Sequence, residues 1–424
     1  MAHYHRDTEC IHAGYQPGNG EPRVLPITQS TTFRYDSAET LGKLFDLEED
    51  GFFYTRLGNP TLDAVEKKIA ALEGGVGALL TSSGQAASLI SVLNICHAGG
   101  HVVCSSAIYG GTFNLFYKTM HEMGIDFTFL PADCTEAELE AAFRENTRCV
   151  FAESLCNPSL VVTDLEMFAG AAHRHGVPMI VDNTFPTPIN CHPFEFGVDI
   201  VTHSTTKYMD GHAVQVGGCI VDSGNFNWKN GKFPEFTEPD ESYHGVVYAE
   251  RFGNMAYIVK ARTHLMRDLG AQASPTNAFL LNLGLETLAV RMERHCANAL
   301  AMARYLEKND KISWVNYPGL EGNRYHALAE KYMPNGSCGV ISFGIKGGRE
   351  AAQRFMDHLK LASVVIHVAD LRTCVLHPAS TTHRQLSDAQ LEEAGVGPDM
   401  IRMSVGIENI ADILADVEQA LAQV

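Results

Sequence analysis

Basic residues are scarce in this chain. Its 424 residues hold 32 lysines and arginines against 50 aspartates and glutamates, a formal net charge of −18. Such a field repels polyanions, so nucleic acid and anionic membrane surfaces are excluded as main partners, and any anionic ligand needs a local site. Long apolar runs are missing as well. The longest uncharged stretch, Gly74 to Tyr117, is broken by glycines, serines and asparagines and reads as protein interior. The opening MAHYHRDTEC lacks the apolar core of a signal peptide. No C-x-x-C pair occurs among the 11 cysteines. A reduced, cytoplasmic compartment is therefore expected, with most cysteines acting as small core residues. Repeats and low-complexity tracts are absent. So is H-E-x-x-H, and His203, His212 and His377 lack ligand spacing, so structural histidines and no metal are expected.

What is present is the texture of an α/β enzyme, 45% apolar and 19% charged, with length for two or three domains. Residues 1–58 mix prolines, glycines and polar groups and read as an extended N-terminal arm. NPTLDAVEKKIAALEGG then reads as a helix capped by Asn59, with Pro60 first, Leu62, Val65, Ile69 and Leu72 on one face, and Gly74 and Gly75 at its end. Seven short apolar runs follow: GALLTS, HVVCSS, DFTFLP, RCVFAES, VPMIVDN, VDIVTHS and GGCIVD. Helical intervals separate them, one opening with the capping-box spacing Thr135 to Glu138. Continuous apolar strands alternating with helices predict a mostly parallel sheet covered on both faces, over residues 59–265. Beyond it, long helices around a few strands predict a smaller α+β domain over 266–424.

Ligands of such sheets bind at the carboxyl ends of the strands. Asp182 ends one strand, and Ser204, Thr206 and Lys207 follow the next. Upstream, Ser82, Ser83, Gly84 and Gln85 lead from a strand into a helix, a ready phosphate site. Taken singly, Lys207 reads as a surface lysine, Asp182 as a turn or cap, and SSGQAA as a tight turn. A dinucleotide site needs G-x-G-x-x-G after the first strand, which is absent. Together the groups ask for a ligand with a phosphate, a cationic atom to pair with Asp182, and an aldehyde for the Lys207 amine. Pyridoxal 5′-phosphate has all three, and a carboxylate beside its ring nitrogen keeps the ring an electron sink.

The motifs YTRLGNPT, SSGQAA, YGGTF, VDNTF, HSTTKYMDGH, HPASTTH and IRMSVGIE resemble the motif set of the Cys/Met-metabolism pyridoxal-phosphate enzymes, in family order over about residues 10 to 420. The resemblance implies fold-type I. It makes Lys207 the amine that bonds the cofactor and Asp182 the partner of its ring nitrogen. Ser83, Gly84 and Gln85, with Ser204 and Thr206 beside them, match the phosphate cup. Tyr109 matches the ring stacked on the cofactor, and Asn157 the group near its phenolic oxygen. Tyr54 and Arg56 match groups reaching the phosphate of a neighbouring subunit, with Tyr54 also near substrate. Arg402 matches the holder of the substrate α-carboxylate, and Thr373 stands at a substrate-binding position where the family commonly has serine. A homo-oligomer is implied, a dimer of active units assembled into a homotetramer.

Residues 225–248, NFNWKNGKFPEFTEPDESYHGVVY, resemble an insert of the family's O-acetylhomoserine sulfhydrylases that its shorter lyases lack. Gly111 stands where methionine γ-lyases carry cysteine, and Arg372 where cystathionine γ-lyases carry a glutamate. The expected activity is replacement at Cγ of O-acetyl-L-homoserine by sulfide, giving L-homocysteine and acetate for methionine biosynthesis. The alternatives are methionine γ-lyase or cystathionine γ-synthase or lyase activity. More distant are a non-catalytic phosphate-binding α/β protein and a zinc hydrolase.

Overall fold

A computed structural model of the chain describes residues 4–381, 384 and 396–424. Thr382 and His383, which end the HPASTTH motif, lie outside them. Helix Pro60–Glu73 forms as its caps dictate. The Asn59 side chain accepts from the Thr61 amide, and Gly74 closes the helix at φ 80°. Leu62, Val65, Ile69 and Leu72 are buried along it.

The seven apolar runs are the strands of one sheet. They are β1 (Gly77–Thr81), β2 (His101–Ser105), β3 (Asp126–Leu130), β4 (Thr147–Glu153), β5 (Met179–Asp182), β6 (Ile200–His203) and β7 (Gly218–Asp222), in the order β1-β7-β6-β5-β4-β2-β3. β2, β6 and β7 are buried at every residue, as a sheet covered on both faces requires. Neighbours from β3 to β6 pair in parallel, whereas β7 runs antiparallel to both β6 and β1. The uniform alternation of the sequence does not predict that reversal. Its cause is local: the link from His203 to Gly218 contains no helix, and a parallel return needs a crossover. The six co-directed strands end at one edge, where Thr81, Ser105, Glu153, Asp182 and His203 sit, and β7 begins there.

A second sheet is built from β8 (Ile312–Asn316), β9 (Val340–Ile345), β10 (Ser363–Val364), β11 (Cys374–Leu376) and β12 (Met400–Ser404), in the order β10-β11-β12-β9-β8. Only the short β10–β11 pair is parallel. β8 and β10 have no apolar signature to predict them: Ile312 alone is buried in β8, and both residues of β10 are exposed. Two of the long helices, Pro275–Glu286 and Leu288–Leu306, follow one another with a break at Thr287.

Within the first 58 residues, helices Arg6–His12 and Ala38–Phe45 interrupt the extended chain. The first is docked: Cys10 is fully buried, and Gly14 passes so close that a Cβ would come within 2.0 Å of the Ala64 carbonyl oxygen. The 225–248 insert leaves from the far end of β7, the edge opposite the strand ends of β4 to β6. Trp228 stacks on Phe236 and Tyr257, at 4.5 and 5.3 Å between centroids. Arg148 lies over Phe233 and pairs with Glu235 at 3.2 Å. These contacts make the insert part of the scaffold. All 11 cysteines are buried and unpaired. Among the described residues, no helix is long and apolar enough to cross a membrane.

Candidate active site

At the strand-end edge, Ser83 caps helix Gly84–Leu93, its hydroxyl accepting from the Ala86 amide at 3.1 Å. That cap uses a lone pair of the hydroxyl and leaves its O–H free to donate. The amides of Gly84 and Gln85, in the first turn, make no hydrogen bond among the described residues. Gly84 is required by closeness: a Cβ there would lie 2.7 Å from Ser204 Cβ. The first-turn amides therefore sit against Ser204, a cradle for an anion of phosphate size. The Thr206 hydroxyl is differently engaged, donating to the Gly217 carbonyl at 3.1 Å and accepting from its amide at 3.0 Å.

Beside the cradle, Asp182 ends β5 in register with Glu153 of β4. Asp182 Oδ1 accepts from the Thr184 amide at 3.0 Å and from the Thr184 hydroxyl, whose oxygen in turn accepts from the Ser204 amide at 2.8 Å. One threonine thus ties the carboxylate to the cradle. Glu153 Oε1 accepts from the Tyr109 amide at 2.6 Å and so fixes the root of that ring. Burial pushes both carboxyls above their usual range, Glu153 further because Asp182 is near. A cation at Asp182 would relieve that opposition, which is what a protonated ring nitrogen supplies. The Tyr109 ring, half exposed, lies across Gly111: a Cβ at 111 would come within 2.5 Å of it.

Lys207 stands four residues beyond β6. Burial first, then the nearby Arg402 guanidinium, lowers its amine to about 8. Arg402 lies within β12, paired with Leu376 and Ser342 and 7% exposed. Its Nη1 donates to Asn157 Oδ1 at 3.2 Å, which joins the second sheet to the loop after β4. Its Nη2 donates to the Ile366 and His367 carbonyls at 2.9 and 3.4 Å. Lys207, Arg402, Asn157 and Tyr109 are thus brought to one place from four separate segments.

Other expected residues are not brought there. The Thr373 amide and hydroxyl both donate to the Glu408 carboxylate, at 2.7 and 2.9 Å, and its hydroxyl accepts from the Gly406 amide. That side chain is turned into the protein. Arg56 donates to the Arg267 carbonyl and covers the Tyr54 ring at 5.2 Å. Neither has a described contact with Lys207, Asp182 or Arg402. Sequence reasoning missed Glu153, Thr184 and His367. Glu153 had a signal, a carboxylate at the end of an apolar strand beside that of Asp182. His367 lay in a stretch read only for Arg372 and Thr373.

The donor set fits pyridoxal 5′-phosphate. The Gly84 and Gln85 amides and Ser204 would hold its phosphate, Asp182 its ring nitrogen, Tyr109 its ring face and Lys207 its aldehyde carbon. A family model described as Cys/Met metabolism PLP-dependent enzyme matches residues 7–422. Among curated relatives, homocysteine synthase of Schizosaccharomyces pombe is 47% identical over 98% of this chain and 98% of its own. O-acetyl-L-homoserine sulfhydrylase of Leptospira meyeri is 45% identical over 99% and 97%. A crystal structure from Campylobacter jejuni, assigned as an O-acetylhomoserine (thiol)-lyase, superposes with a TM-score of 0.95 at 36% identity, covering 99% of this chain and all of that one. It carries N′-pyridoxyl-lysine-5′-monophosphate.

Proposed function

The chain belongs to the Cys/Met metabolism PLP-dependent enzymes, and from that premise we propose that it converts O-acetyl-L-homoserine and sulfide to L-homocysteine and acetate. This is a γ-replacement serving methionine biosynthesis. The observation that carries the reading is similarity along the whole chain to relatives of that activity, 45% identical to the Leptospira meyeri sulfhydrylase. The site is chemically suited to it. Bound pyridoxal phosphate supplies an electron-withdrawing ring that acidifies the substrate α-carbon. The Lys207 amine, lowered to about 8, is partly unprotonated near neutral pH and serves as the base for the α-proton and then a β-proton. Arg402 takes the α-carboxylate with the guanidinium donors not spent on Asn157, Ile366 and His367. Holding the substrate there orients its Cα–H towards Lys207.

We further propose that the active unit lies at a subunit boundary of a homo-oligomer, a dimer assembled into a tetramer. Exposed apolar residues adjoining the Lys207 loop support this: Val214 and Val216 in the link to β7, Leu283 and Val290 on the next helices. Tyr54 and Arg56, which make no described contact with their own chain's Lys207, would complete a neighbour's phosphate site. A cytoplasmic location agrees with a small-molecule reaction and 11 unpaired cysteines.

Product analysis separates the rival activities. With sulfide, homocysteine and acetate are expected in equal amounts. Release of 2-oxobutanoate and ammonia as the main products would instead assign a γ-lyase.

A further inference from the structure

Residues 366–373 form a wall beside Lys207, and its backbone is held firmly. The His367 carbonyl accepts from Arg402 Nη2 and from Cys374 Sγ, at 3.4 and 3.3 Å. Ala369 adopts φ 68°, unusual for a residue with a side chain, and its amide donates to Ser404 Oγ at 2.8 Å. The polar side chains of this wall are nearly all spent. Within it Thr373 is bound to Glu408 and Asp370 Oδ1 accepts from the Arg372 amide; against it Ser404 accepts from Ala369 and Asn157 accepts from Arg402.

His367 is the exception. Its Nε2 is shielded from solvent and has no hydrogen-bond partner among the described residues. The nearest carboxylate oxygen, Asp370 Oδ2, is 3.9 Å away, beyond hydrogen-bonding distance. The charged groups facing it are Lys207, Asp370, Asp210 and Arg402. Burial and then Lys207 lower its titration, so the ring is neutral and carries one N–H. The proposed reaction makes three polar demands. Arg402 meets the α-carboxylate and Lys207 the α-proton, while the ester oxygen on Cγ has no donor assigned.

We infer that His367 is a catalytic residue for the γ-position, donating a hydrogen bond from Nε2 to the acyl oxygen as it leaves. The inference rests on the γ-replacement reading and deepens it. When the Cγ–O bond breaks, its electron pair stays with the oxygen. The acetate departs as an anion, stabilised by a fixed donor, and no net proton transfer is needed.

The test compares two reactions of the holoenzyme in D2O. One is exchange of the α-proton of L-norvaline, which has no leaving group. The other is homocysteine formation from O-acetylhomoserine and sulfide. His367→Leu should keep norvaline exchange within about twofold of wild type yet lose roughly ten- to a hundredfold in homocysteine turnover, the range for one charge-assisted hydrogen bond. His367→Asn, which retains an N–H donor, should recover part of that loss. Equal loss of both reactions in His367→Leu would make His367 a structural support of the wall, and loss of neither would remove it from the chemistry; either overturns the inference while wild-type homocysteine synthesis stands. A wild-type enzyme that exchanges norvaline but forms no homocysteine would overturn the proposed function, and this inference with it.

Discussion

Replacing Gly84 by alanine would put a methyl group where the backbone leaves no room. The new Cβ would lie 2.7 Å from Ser204 Cβ and 2.9 Å from Ser204 Cα, and neither atom can rotate aside. Ordinary carbon–carbon contact is about 3.5–4.0 Å, so the helix start and the end of β6 must part by roughly an ångström. Overpacking of this kind costs about 1–3 kcal/mol. The parting separates the amides of Gly84 and Gln85 from Ser204, the groups assigned to the cofactor phosphate. If the cost falls on the bound state, the cofactor dissociation constant rises about five- to 150-fold. Titration of apoenzyme with pyridoxal phosphate, followed by absorbance, measures this. Gly110→Ala is the control, because no atom lies within 4 Å of its added Cβ, and it should bind as wild type. Wild-type affinity in Gly84→Ala would refute the cradle.

Three further outcomes are expected. Lys207 titrates at about 8 when folded against 10.5 when exposed, a burial penalty of roughly 3 kcal/mol that is fully present below pH 8 and relieved as pH rises to 10.5. Apoprotein carrying Lys207→Met should therefore resist urea better than wild-type apoprotein at pH 7, with the gap closing towards pH 10; a gap independent of pH contradicts the assignment. Arg402→Lys keeps the charge and loses the fork, so kcat/KM should fall by about ten- to 150-fold, from about 1.5–3 kcal/mol, with cofactor absorbance unchanged. Near-normal efficiency would leave the carboxylate partner unidentified. Mixed Arg56→Ala and Lys207→Ala subunits should regain activity neither has alone, since hybrid dimers hold one intact site; silence after verified subunit exchange argues against a shared site.

Much of the scaffold is legible because its signals are local. Asn59, Pro60 and Gly74 specify one helix through cap chemistry alone, and Thr135 with Glu138 forms the capping box that its spacing implies. The seven strands of the main sheet announce themselves by apolar content, although β3, at the sheet edge, is only partly covered. What stays hidden depends on partners distant in sequence. The reversal of β7 is set by a helix-free link, and β8 is held by pairing with β9 and not by its own pattern. The site divides in the same way. Lys207 and Asp182 stand at strand ends, where the fold type fixes their place. The state of Thr373 depends on Glu408, 35 residues on, and the open Nε2 of His367 depends on neighbours from several segments. The aromatic anchoring of the insert on the opposite edge of the sheet could not be read from its composition.

The most direct test of the account follows deuterium into the product. Holoenzyme with O-acetyl-L-homoserine and sulfide in D2O should yield homocysteine labelled at Cα and Cβ, one equivalent per acetate, because the Lys207 base removes and returns protons at both carbons before sulfur is fixed at Cγ. Homocysteine free of deuterium would mean direct displacement of acetate by sulfide. That result would contradict the role given to Lys207.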